Sequence, residues 1–188
     1  MPEPSATPPS PATLFAPWRM QYLEGIDANE KKAAAAKSTG SFLRDYWLTP
    51  DADDANHVIV RTSLGMILLN GYPYANGHLL VALGEPRPTL LDYDTAQRAA
   101  LWTLVDLGAE LMQAALNPQG INIGVNQGRA AGAGVPQHLH AHLVPRWSGD
   151  VNFFGIVGGV RVIPASLEAM AHRYRAAWNG LRSKYALE

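Results

Sequence analysis

Three of the chain's six histidines stand at every second position in Gln137-His138-Leu139-His140-Ala141-His142-Leu143-Val144-Pro145-Arg146-Trp147. A β-strand turns successive side chains to opposite faces, so an extended chain puts His138, His140 and His142 on one face and Leu139, Ala141 and Leu143 on the other. One face is then apolar and the other carries chemistry. Same-face neighbours on a strand are roughly 7 Å apart, a spacing that suits one reacting centre attended by neighbours. The middle histidine, His140, is the natural actor.

A metal site is the rival reading, since two histidines at i and i+2 can ligate zinc or iron. Such a site needs a further histidine or carboxylate and an open position. Cupin-like sites supply a Glu soon after the histidines, whereas Val144, Pro145 and Arg146 stand there in this chain. The nearest following acid, Asp150, lies beyond Pro145 and Gly149. No metal ligand set is therefore expected.

The elements around this strand read as an antiparallel α+β fold. His57–Thr62 and Met66–Asn70 are β-rich runs joined through Ser63-Leu64-Gly65 as a hairpin, and Gly77–Leu83 is a third strand. Thr95–Leu116 is the longest helix, with Ala99, Trp102, Val105, Leu107, Leu111 and Ala115 near helical spacing, and Asn117-Pro118-Gln119-Gly120 ends it. Ile121–Asn126 alternates as a strand, and a glycine-rich loop leads into the triad strand. Ser166 caps a last amphipathic helix to about Leu181. Short helices are expected at Ala28–Lys37 and Ser41–Leu48, and extended chain at Phe153–Ile163. Residues 1–13 carry Pro2, Pro4, Pro8, Pro9 and Pro11 among small polar residues and read as a loose tail. Residues 14–188 read as a single domain, with no repeat, and 188 residues suffice for one proper core.

Composition narrows the function classes. The net charge of −1 gives no footprint for nucleic acid or an anionic membrane, so phosphate must be caught locally. The chain has no cysteine, which excludes disulfides, thiolate zinc and a cysteine nucleophile. No apolar run approaches the roughly 20 residues that span a bilayer. The start lacks the basic and apolar regions of a signal peptide, so the cytoplasm is the expected compartment.

With these residues in view, the chain resembles the histidine triad (HIT) family of nucleotide hydrolases and transferases, over about Leu14 to Trp178. The runs Asn70-Gly71-Tyr72-Pro73-Tyr74-Ala75-Asn76-Gly77-His78-Leu79-Leu80-Val81 and Val144–Asp150 resemble its bacterial diadenosine tetraphosphate phosphorylase branch. The resemblance implies a HIT-like fold and a phosphorylase or hydrolase of dinucleoside polyphosphates working through a nucleotidyl-histidine. His140 matches the nucleophile, for which a neutral imidazole is competent near pH 7. His142 would attend the leaving group, and His138 would orient its neighbours by hydrogen bonding. His78 matches a fourth family histidine, Asn70 a ribose contact and Trp147 a tryptophan of the phosphorylase branch. Asn126 and Gln127 can reach phosphate or ribose oxygens. Gly128, Gly132 and Gly134 allow close backbone approach to phosphate. Arg129 is either a phosphate clamp or a solvated loop charge. No cofactor is required, though magnesium can accompany the substrate. A homodimer or tetramer is implied, with Phe15, Trp18, Tyr22 and the C-terminal helix as surplus apolar surface.

The chain departs from the family in two places. It lacks the Cys-x-x-Cys pair that relatives often carry near the N-terminus, and with it that structural zinc. Gly134, Val135 and Pro136 replace the Ser, Thr or Gln that relatives place before the first histidine, which leaves water as a competitor to phosphate in the second step. The same scaffold also serves nucleoside phosphoramidases, adenylyl-sulfate-cleaving enzymes and nucleotide-sensing proteins with little turnover.

Overall fold

Five strands form one antiparallel sheet in the order β1-β2-β3-β5-β4 in the computed structural model, which describes residues 39–150 and 162–185. They are β1 (Val58–Arg61), β2 (Gly65–Leu69), β3 (Leu79–Leu83), β4 (Gly120–Val125) and β5 (His140–Arg146). The helices are α1 (Phe42–Trp47), α2 (Thr95–Leu116) and α3 (Leu167–Leu181). The fold is α+β, as the alternation of short β-rich runs with a long and a terminal helix implies. The expected N-terminal tail, the Ala28–Lys37 helix, the cluster of Phe15, Trp18 and Tyr22, and most of the Phe153–Ile163 stretch lie outside the described residues.

Period-two patterning divides the sheet into two faces. Ile67, Leu69, Leu79, Val81, Leu83, Ala141 and Leu143 point to one side and join α2 and α3 in the main core. Met66, Leu68, Leu80 and Ala82 point to the other, where Leu43 of α1 and Val58 complete a smaller cluster. His140 pairs with Ala82 and His142 with Leu80, so both histidines share the face that carries α1. The next strand on that face contributes Asn122 and Gly124, both exposed. Apolar burial therefore ends where the histidines begin.

Helix α2 is fixed at both ends. Asp94 accepts from Gln97 N–H and Gln97 reaches back to Asp94 N–H, a reciprocal capping box. Asn117 takes the left-handed conformation that stops the helix. The buried residues are Leu101, Leu104, Val105, Leu107, Gly108, Leu111, Met112 and Ala115, so the expected Val105, Leu107, Leu111 and Ala115 are in the core while Ala99 and Trp102 face outward. This corrects the expected stripe, because the i, i+3, i+4, i+7 run that starts at Leu101 is the denser one. A Cβ at Gly108 would sit 3.1 Å from Leu143 Cδ2, so this glycine lets α2 lie close to β5. By length and composition α2 could cross a membrane, contrary to the reading that no such run exists, but its apolar stripe is buried on the sheet.

Helix α3 is capped by Ser166, which accepts from Ala169 N–H. It buries Met170, Ala171 and Tyr174, and packs Trp178, Leu181 and Tyr185 against the main core. Its apolar face is thus consumed within the chain and does not provide the surplus surface expected of it. Tyr174 Oη donates to Gly77 O at 2.6 Å, which ties α3 to the turn before β3.

Several element edges differ from the pattern reading, each for a local reason. β3 begins at Leu79, because Gly77 has φ +85° and His78 N–H turns back to Ala75 O. β1 begins at Val58, since His57 has φ +51°. β5 begins at His140, not at His138: His138 N–H bonds Val135 O in the preceding turn, and Leu139 N–H bonds Arg87 O.

Candidate active site

One strand and the turns that lead into β5 and β3 gather four histidines. β5 carries His140 and His142, the turn before it carries His138, and the residue before β3 is His78. The His140 and His142 ring centroids are 4.9 Å apart, and those of His78 and His142 are 5.2 Å apart. His78 and His138 are fully buried and His140 nearly so, while His142 is only half-buried. His138 lies outside the strand, in the turn before it. It sits between Ser41 Oγ at 2.9 Å from Nδ1 and Leu83 O at 2.7 Å from Nε2.

Main-chain partners fix which ring nitrogens carry hydrogen, since a carbonyl can only accept and an amide N–H can only donate. Leu83 O accepts from His138 Nε2–H, so His138 Nδ1 accepts from the Ser41 hydroxyl. His138 O accepts from His140 Nδ1–H at 2.8 Å, which leaves a lone pair on His140 Nε2. Tyr74 N–H donates to His78 Nδ1 at 3.1 Å. Asn70 also faces that nitrogen through Nδ2 at 3.2 Å, its Oδ1 being held by Tyr72 N–H. His78 therefore carries its hydrogen on Nε2 and donates to His142 Nδ1 at 3.0 Å. The hydrogen of His142 then lies on Nε2. Asn126 Nδ2 lies 3.5 Å from that nitrogen, and turning the amide over would bring its oxygen there to accept Nε2–H.

Among the described residues, His140 Nε2 is the one of these eight ring nitrogens whose lone pair meets no donor, and His142 Nε2–H stands beside it. A nucleophile next to a donor is the result. A metal ion would find a single imidazole ligand here, and among the described residues no group of three or more His, Cys, Asp or Glu is arranged to hold one.

Electrostatics keep the rings neutral. Burial lowers the pKa of His140 below the ordinary 6.5. Burial, with repulsion from His140, pulls His142 down to about 4. Burial lowers His138 as well, with the Leu83 carbonyl opposing it. All three are therefore uncharged at neutral pH.

The remaining expected residues are distributed less simply. Asn70 joins the cluster, but through His78. Asn126 reaches His142. Gln127 Oε1 accepts from Leu90 N–H at 2.9 Å, so this side chain pins the glycine-rich loop to the segment before α2. In that loop Gly128 and Gly132 have φ +82° and +87°. The N–H groups of Ala131, Gly132 and Ala133 are consumed inside the loop by Gly128 O and Arg129 O, which reduces the backbone donors expected for phosphate. A Cβ at Gly124, Gly128, Gly132 or Gly134 would meet nothing within 4 Å, so these backbones border open space. Trp147 lies past the far end of β5, roughly 20 Å along the strand from His140; the structure does not bring it to the histidines.

Sequence reasoning missed three residues. Ser41 is buried, caps α1 and donates to His138 across 97 positions. Tyr74 bonds His78 through its main chain and stacks its ring on His142. Gly124 pairs with His142 across β4 and β5, and its missing side chain keeps the space beside that ring open. Only the position of Tyr74, four residues before His78, gives a signal in the sequence.

This sheet and this cluster define a histidine-triad protein. The HIT domain family model matches residues 52–149. An AP-4-A phosphorylase of Mycobacterium tuberculosis is 33% identical over 88% of this chain and 83% of its own length. The chain belongs to the HIT family, and within it to the AP-4-A phosphorylase branch. The fold is shared with a zinc-bound histidine triad family protein of Mycobacterium smegmatis, with TM-score 0.58 and 28% identity over 74% of this chain and 96% of that one. It is also shared with a histidine triad nucleotide-binding protein of Sulfolobus tokodaii, with TM-score 0.61 and 23% identity over 74% and 95% of the two chains.

Proposed function

We propose that the protein cleaves dinucleoside polyphosphates, with diadenosine tetraphosphate as substrate, through a nucleotidyl-His140 intermediate. The observation that carries this reading is the ring lone pair on His140 Nε2, which meets no donor among the described residues, beside the N–H of His142. In the first step His140 Nε2 forms a bond to an α-phosphorus. The bond from that phosphorus to the bridging oxygen breaks, and ATP leaves with the electron pair. The nucleotidylated ring gains positive charge, and its Nδ1–H bond to His138 O becomes charge-assisted. In the second step an oxygen of inorganic phosphate attacks the phosphorus, the P–N bond breaks, and ADP is released; attack by water gives AMP.

The tautomers favour this substrate class over an amine leaving group. His142 is neutral, and its Nδ1 is filled by His78, so it donates a hydrogen bond without being a ready acid. A polyphosphate departs as a stable anion near neutral pH and needs only that. A phosphoramidate must have its amine protonated. From adenylyl sulfate the sulfate also departs without a proton, so that substrate is the rival to be separated by assay, as is a sensor with little turnover. The similarity to an AP-4-A phosphorylase supports the polyphosphate. The reaction uses no resident metal, and magnesium would travel with the substrate's phosphates. The cytoplasm is the proposed compartment, and a second copy of the chain the proposed partner.

Incubation with diadenosine tetraphosphate, with and without phosphate, tests the reading by product identity. ATP and ADP are expected with phosphate, and some AMP without it. AMP as the dominant product in abundant phosphate would make water the acceptor, and no released nucleotide at all would favour the sensor.

A further inference from the structure

Tyr74 touches both partners of the His78–His142 hydrogen bond. Its main-chain N–H donates to His78 Nδ1 at 3.1 Å. Its ring centroid lies 4.6 Å from that of His78 and 5.6 Å from that of His142, and its plane is only 18° from the His142 plane. The loop is built for this placement. Tyr72 N–H is held by Asn70 Oδ1 at 2.9 Å, Pro73 has a ring-fixed φ, and His78 N–H returns to Ala75 O. Tyr74 is 47% exposed.

His142 has reason to need a support. One strong hydrogen bond holds it, at Nδ1, and Nε2 faces Asn126 only at 3.5 Å. A ring held at one atom can swing about that bond, and a flat partner against its face removes the freedom. We propose that Tyr74 is a positioning residue for His142: its ring sets the plane in which Nε2–H points at the reacting phosphate, and its main-chain N–H holds His78 in the tautomer that donates to His142. The effect on rate rests on the nucleotidyl-transfer reading, whereas the ring orientation and tautomer do not.

The test compares Tyr74→Ala and Tyr74→Phe with the parent in two measurements. The first is the 15N spectrum of the histidine side chains without nucleotide. The parent and both variants keep the signature of hydrogen on Nε2 of His142, because the main-chain N–H of residue 74, Asn70 and His78 are unchanged; Tyr74→Ala broadens the His142 ring signals as the ring loses its fixed plane, and Tyr74→Phe keeps the parent line shape. The second is steady-state turnover of diadenosine tetraphosphate. Tyr74→Ala lowers kcat by about tenfold or more with KM within about threefold, and Tyr74→Phe restores it. Unchanged kcat and His142 signals in Tyr74→Ala overturn the assignment, as does a kcat loss with unchanged His142 signals or a Tyr74→Phe variant that behaves like Tyr74→Ala. A parent that does not turn over the dinucleotide would sink the substrate reading alone, and the spectra would still decide the role of Tyr74.

Discussion

An imidazole attacks only through the nitrogen that carries no hydrogen, so the placement of one hydrogen on His140 decides whether it is a nucleophile. The His138 carbonyl makes that decision by taking Nδ1–H, and it would do so for any ring in this rotamer. His140→Asn removes the attacking nitrogen while keeping a polar side chain of similar reach. Turnover should fall by at least about a thousandfold with the fold and nucleotide affinity retained. Calorimetric titration with a non-cleavable analogue, beside a turnover assay, checks both halves, and activity within a few-fold of the parent would remove His140 from the mechanism. The pH dependence follows from burial. His140 and His142 have folded pKa values below the ordinary 6.5, so the unfolded chain binds more protons than the fold between 6.5 and about 4. Their contribution to stability is full above pH 6.5 and is lost as pH falls toward 4. Tm should therefore decline through that window, and kcat/KM should stay level to below pH 6.5. A kcat/KM profile already half lost at pH 6.5 would show that the nucleophile titrates as an exposed histidine.

Helix α1, only six residues long, connects to the triad through one hydroxyl. Ser41 Oγ accepts from Arg44 N–H as the helix cap and donates to His138 Nδ1, while Gln137 Nε2 donates to Gly40 O beside it. Ser41→Ala loses the cap, worth about 1 kcal/mol, and strands a buried ring nitrogen at about 1–3 kcal/mol. For a chain of this size the two together lower Tm by roughly 5–10 °C. Turnover should fall as well, since His138 carries the carbonyl that holds His140. Differential scanning calorimetry with a parallel rate measurement checks this, and an unchanged Tm would mean that the hydroxyl is not the link. Ser41 also marks where the sequence stops being legible. Strand alternation makes His140 and His142 readable as one face, because that information is local to β5. The sheet, α2 and α3 are readable for the same reason. The place of His138 is not, because it lies in the turn before β5 and its partner Ser41 is 97 residues away. Trp102 looked like core from its spacing, yet a competing run of leucines claims the buried side of α2. Gln127 has the chemistry of a ligand contact, and only the distant Leu90 amide reveals its place in holding the loop.

At the scale of the whole molecule the two edges of the sheet are treated differently. β1 is buried along Val58, Ile59 and Val60, and α3 reaches over it with Arg175, which bonds Val58 O at 3.3 Å and pairs with Asp54. Among the described strands β4 pairs with β5 alone, its central residues Asn122, Ile123 and Gly124 are exposed, and Ile123 is 45% exposed. An edge strand of the described sheet with an exposed isoleucine and no charged side chain lacks the usual protections against pairing with another chain. A second copy can satisfy it about a two-fold axis, where β4 meets β4 and each Ile123 meets its equivalent surface. Trp102 on α2, 43% exposed, adds apolar surface that one chain leaves open. The parent should therefore scatter light as a dimer or a dimer of dimers at micromolar concentration. Ile123→Lys places two like charges across the two-fold in an apolar contact and should shift the population to monomer, with Tm of the isolated chain nearly unchanged because Ile123 contributes little to its core. A parent that is monomeric under those conditions would reject the assembly, and an Ile123→Lys variant that stays dimeric would move the interface away from β4.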